Sequence, residues 1–180
     1  MKKIRFISSV LALGLIIAGT GFANIDTAVH SVSIEIQEVA LLALNSTALV
    51  ALVSQNPAGG AGGEVEADTN NTKELYYTSV VANSTTRTIS VSSDIAAPAG
   101  TTLSVTPTVG SATGAGTAAG KTAIPVGTGT DIITAIGSTA TGTGAGAASL
   151  LYTLDVVATS SLETTAATTL VLTYTLEEDG

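Results

Sequence analysis

Beyond residue 23 the 180-residue chain contains no cysteine, tryptophan, methionine or phenylalanine, since Met1, Phe6 and Phe22 all lie in its first segment. Without cysteine there can be no disulfide, no thiol nucleophile and no thiolate-bound zinc, so stability has to come from backbone pairing and aliphatic packing. The lack of both sulfur residues also leaves little to oxidise. Histidine occurs once, at His30. One imidazole and no thiol cannot build the usual zinc ligand sets, and there is no G-x-S-x-G elbow to pair with that base, so a triad hydrolase is not supported. The aromatics that remain are Tyr76, Tyr77, Tyr152 and Tyr174.

Basic residues are scarce and unevenly placed. Lys2, Lys3 and Arg5 open the chain, Phe6 to Ala18 is mostly apolar, and Gly21-Phe22-Ala23 offers small residues where a signal peptidase reads. Residues 1–23 therefore read as a cleavable export signal. The apolar stretch includes Ser8 and Ser9 and falls short of the roughly 20 residues a membrane span needs. No cysteine follows it to carry a lipid. Removal of the signal leaves three basic residues, Lys73, Arg87 and Lys121, against fourteen acidic ones, an excess of eleven negative charges. That balance opposes binding to nucleic acid or to an anionic membrane. Residues 24–180 suit one domain.

Runs of Val, Ile, Leu, Thr and Tyr alternate with Gly-, Asn- and Ser-rich breaks, which predicts an all-β fold: an antiparallel, immunoglobulin-like β-sandwich of about 7–9 strands. The cleanest alternation is Ala28 to Ile36, where Val32, Ile34 and Ile36 face one way and Ser31, Ser33 and Glu35 the other. Val39 to Leu44 and Ala48 to Val53 follow as two strands separated by Asn45-Ser46-Thr47. Pro57 to Asn71 reads as a flexible acidic loop. Strands are expected at Leu75–Ala82 and Arg87–Ser92 around a hairpin turn at Asn83–Thr86, then at Thr102–Val109, Asp131–Ile136, Leu150–Val157 and Thr169–Leu176. The Gly/Ala/Thr tracts at 110–120 and 137–148 read as mobile loops.

Several local patterns are weighed against plainer readings. Ala115 to Thr122 (AGTAAGKT) matches a relaxed phosphate loop, but the residues after it are β-branched and interrupted by Pro125, where such a loop needs a helix. Asp68, Asn70, Thr72 and Glu74 alternate like calcium ligands, yet Lys73 stands where the loop needs glycine and Ser79 where it needs the closing glutamate. A solvated acidic loop is the simpler reading. Asn45, Asn70 and Asn83 begin glycosylation sequons of a kind common by chance in Asn/Thr-rich loops. Nothing brings two carboxylates into one cleft, so no enzyme activity, metal or cofactor is expected. Strand alternation puts one of Tyr76 and Tyr77 outward, and either is a candidate ligand platform or a cross-strand packing partner.

With these features, the strand after the signal (VSIEIQEVALLAL, Val32 to Leu44), Leu75-Tyr76-Tyr77-Thr78-Ser79-Val80 and Leu172-Thr173-Tyr174-Thr175-Leu176 resemble segments of small secreted bacterial β-sandwich proteins of the cell surface, fimbria-like subunits among them. The cysteine pair common in fimbrial subunits is missing. The resemblance implies a secreted or surface-exposed structural protein whose partner is itself or another surface protein, assembling through an N-terminal strand with Val32, Ile34 and Ile36 as its apolar face. The alternative is an adhesion module with a carbohydrate or protein ligand at Tyr76 or Tyr77. The side-chain pattern is the same whether the first strand pairs within its own chain or with a neighbour.

Overall fold

A computed structural model describes residues 29–57 and 59–179, so the expected export signal lies outside the described residues. The chain divides after Glu35 into two units, and the second, from Ile36, holds all the strands. These are β1 (Val39–Leu44), β2 (Asp68–Val80), β3 (Arg87–Ser93), β4 (Thr101–Thr108), β5 (Thr117–Ala118), β6 (Thr122–Ala123), β7 (Thr130–Ile136), β8 (Thr139–Ala140), β9 (Ala148–Val156) and β10 (Leu172–Glu178). The described residues include two short 3-10 turns and no helix long and apolar enough to cross a membrane.

The expected antiparallel sandwich is what these strands form. One sheet runs β1-β2-β9-β4-β6 with β8 also on β2, and the other runs β10-β3-β7-β5. From β2 to β7 each strand lies in the sheet opposite to the one before it. That is jelly-roll winding, whereas an immunoglobulin winding keeps several sequence neighbours side by side in one sheet. Asn83–Thr86 accordingly turns the chain from one sheet to the other and closes no hairpin. Ser84 takes a left-handed φ of 71° there, and Thr85 N donates to Ala82 O at 3.2 Å.

The core forms where the two inner faces meet. Leu75 and Tyr77 of β2, Val105 of β4, and Ala148, Leu150 and Tyr152 of β9 pack against Ile89 and Val91 of β3 and Ile132, Ile133 and Ile136 of β7. Alternation accounts for most of this, and β-bulges account for the exceptions. In β7 the register against β3 slips twice, so that Ile132 and Ile133, though adjacent, are both fully buried, and Ala135 takes a φ of 55°. In β2 an extra residue between Asn70 and Lys73 reverses the facing of the strand. Lys73, Leu75, Tyr77 and Ser79 all point inward as a result. Pro107 sits in β4 beyond its short pairing with β6, at a position where one side of the strand is bare.

Several expectations are corrected. Val29–Ile36 carries no strand, because a strand needs a partner and none of the described residues pairs with it. Residues 48–53 are not a strand either, although Val50 and Leu52 rest against the core. The acidic stretch from Asp68 is strand rather than loop: β9 supplies its pairing, which overrides its weak propensity. The glycine-rich tracts are held in place. Ser111 N donates to Ala145 O at 3.0 Å, Gly137 N to Gly114 O at 3.1 Å and Thr141 N to Tyr77 O at 3.0 Å. The backbones come so close that a Cβ on Gly110 would lie 2.4 Å from the carbonyl of Gly146.

Candidate assembly site

The segment leading into the sandwich is apolar on alternate residues and open to solvent: Val32 is 69 % exposed, Ile34 81 % and Ile36 82 %. Two residues further on the chain is fixed. Glu38 accepts a hydrogen bond from Ala82 N at 3.1 Å through one carboxylate oxygen, and its other oxygen lies 3.5 Å from the Arg87 guanidinium. Arg87 is buried and its Nε has no partner, so this single contact carries much of the charge balance at that end.

Two strands end their sheets on the same side of the sandwich. β1 pairs only with β2, and β10 only with β3. Both pairings run without a register shift, from Val39↔Val80 to Leu44↔Leu75 and from Leu172↔Ser93 to Glu178↔Arg87. Leu42, Leu44, Leu172, Tyr174 and Leu176 face the core yet are only half-buried. A cleft of about 360 Å³ opens between the two strands, lined by Leu42, Ala43, Leu44, Leu75, Leu172, Thr173 and Tyr174. Natural sheets protect edges with charge, bulges or proline. Neither VALLAL of β1 nor LTYTL at the start of β10 has any of these.

The tyrosines separate as alternation requires. Tyr77 points inward, is 3 % exposed and donates its hydroxyl to Ala115 O at 2.5 Å; desolvation raises its pKa to about 12. Such a ring is no surface platform. Tyr76 faces outward and donates to Glu74 at 3.0 Å. It borders a second shallow cleft of about 390 Å³ with Leu41, Ala43, Thr78 and Thr143. The hydroxyls of Tyr152 and Tyr174 meet at 2.6 Å, and both phenols are shifted upward, chiefly by burial.

The other patterns find structural roles. Lys73 is buried, and its ammonium donates to the carbonyls of Ser46 and Ala48, which ties the crossing segment after β1 to β2. Asp68 accepts from Val53 N at 2.8 Å and Asn70 from Thr72 N at 3.0 Å, so these side chains are engaged within the chain. No group of three metal-ligating side chains occurs among the described residues. Lys121, at the end of the phosphate-loop-like stretch, pairs with Asp155 at 2.5 Å, and short strands flank it where a phosphate loop has a helix. His30 is exposed.

Sequence reading found the apolar segment but not its counterpart. The inward face of Leu172, Tyr174 and Leu176 was visible as alternation, whereas the position of β10 at the rim of its sheet depends on the winding of the whole chain. Comparisons with protein-family models, curated proteins and solved structures gave no significant match, so the geometry itself is the ground for a functional reading.

Proposed function

We propose that this chain is an exported structural subunit of a cell surface or extracellular matrix, and that it assembles with copies of itself by adding the Val32–Ile36 segment of one copy as a strand to another. The observation that carries the reading is the exposure of three alternating aliphatic side chains in a segment without a strand partner, next to a sandwich with bare, uncharged edges. Burying those three side chains would contribute about 1.5–3 kcal/mol each, before the ordering cost of the segment. The export part rests on the basic, apolar and small-residue order of residues 1–23. Negative-stain microscopy and light scattering across a concentration series test the reading. Concentration-dependent oligomers that Ile34→Asp abolishes are expected, and a monodisperse monomer at every concentration would sink it.

A second reading, a surface binding module, draws on the cleft beside Tyr76. It predicts that Tyr76→Ala abolishes retention on a glycan or protein array while leaving the thermal unfolding midpoint unchanged.

A further inference from the structure

The proposed strand addition leaves open which edge receives the segment, and the strand directions make that choice decisive. Call the end of the sandwich at Glu38 and Arg87 the entry end, since β1 begins there. The other end is marked by Leu44 and Leu172, which line the same cleft. β1 runs from the entry end towards the cleft end. β10 runs the opposite way, from Leu172 to Glu178, which lies opposite Arg87.

Every pairing between named strands is antiparallel. A segment pairing antiparallel with β1 would run towards the entry end and finish there. Because its own chain continues through Gln37 into the entry end of its own sandwich, the two copies would meet entry end to entry end. Each could then fill the other, and the assembly would close as a two-fold dimer. A segment pairing antiparallel with β10 runs the other way and finishes at the cleft end. The donor's entry end then sits on the acceptor's cleft end, every copy has the same relation to the next, and the array stays open.

We infer that the acceptor is the free edge of β10, entered antiparallel by the Val32–Ile36 segment of a second copy, so that growth is head to tail. The inference rests on the strand-addition reading above and specifies it. The reach agrees: Val32 to Ile36 and Leu172 to Leu176 are both five residues, about 13 Å of strand. Aligning the apolar faces sets Ile36 beside Leu172, Ile34 beside Tyr174 and Val32 beside Leu176. Ser33 then falls beside Thr175 and Glu35 beside Thr173, with no pair of like charges in contact. The half-buried inner side chains of β10 gain the neighbour that the rim of the sheet denies them.

The test uses the full chain collected after export, whose lack of cysteine gives a clean background. Ser33→Cys with Thr175→Cys, treated with a short bis-maleimide, is compared with Ser33→Cys with Ala43→Cys, all four positions being exposed. The expected result is a covalent ladder extending past the dimer for the first pair and no inter-chain product for the second. Dimers that stop at two chains and come from the second pair would overturn the β10 assignment while leaving strand addition standing. Oligomers that form without a ladder from the first pair would do the same. A chain that stays monomeric, with no effect of Ile34→Asp, would remove both the assignment and the reading beneath it.

Discussion

The hydroxyls of Tyr152 and Tyr174 lie 2.6 Å apart, tying β9 in one sheet to β10 in the other near the side of the sandwich where both sheets end. Replacing either with phenylalanine leaves the remaining hydroxyl without that partner in a desolvated place. A double-mutant cycle with Tyr152→Phe and Tyr174→Phe, read by urea unfolding, should give a coupling of about 1 kcal/mol.

Alkaline pH should unfold the protein through its tyrosines. The pKa of Tyr77 rises from 10.0 to about 12, and those of Tyr152 and Tyr174 are also raised. The unfolded chain therefore loses these protons first. Stability from the neutral phenols is fully present below pH 10 and falls as pH rises from there through the folded values. Thermal midpoints measured from pH 8 to 12 should drop above pH 10, and Tyr77→Phe should reduce the steepness of the drop. A flat profile would contradict burial of the phenols. At the acid end, hydroxyl donors on Thr86 and Thr88 hold the Asp179 carboxyl below its ordinary value, so its small contribution is lost only as pH falls through that lowered value.

Lys73 should matter through its donors more than its charge. Lys73→Met keeps the aliphatic stem and strands the carbonyls of Ser46 and Ala48, which should cost about 1–3 kcal/mol. Hydrogen exchange should show faster opening of residues 45–53 than of β9. Equal protection in variant and parent would mean that water replaces the ammonium without loss.

Glycines in the tracts should differ sharply in tolerance. Gly110→Ala forces a Cβ to within 2.4 Å of the Gly146 backbone and should destabilise by about 2 kcal/mol or more. Gly120→Ala meets open space and should stay within about 0.5 kcal/mol of the parent. Similar values at the two positions would mean that the tracts move apart at little cost.

These contrasts show where a sequence stops being informative. β3, β4, β7 and β9 were legible because apolar residues recur on their buried faces and turn-forming residues bound them. Asp68–Glu74 was not, since its residues are polar and its strand character is conferred by pairing with β9 across a bulge. The glycine tracts looked mobile because close approach of two backbones leaves no side-chain signal. Val32, Ile34 and Ile36 have the alternation of a strand, but pairing is a property of two segments, and only one of them is present in the pattern.

Charge sets a condition on any self-association. Lys73 and Arg87, two of the three cations left after residue 23, are buried, so the outer surface is more acidic than the composition alone implies. Copies should repel at low ionic strength. Assembly followed by light scattering should accelerate about tenfold between 0.05 and 0.5 M NaCl. Slower assembly in high salt would point to an attractive polar interface in place of an aliphatic one.

The alternation of strands between sheets also governs how the chain reaches its native state. Among consecutive strands only β1 and β2 pair with each other, and residues 45–67 separate even these. Almost no contact that rewards folding is local, so loop closure precedes nearly every gain, and such topologies fold in milliseconds to seconds. For a polypeptide that must pass a membrane unfolded, that delay is an advantage: the chain stays threadable during transit and commits to its winding only once the whole of it has arrived.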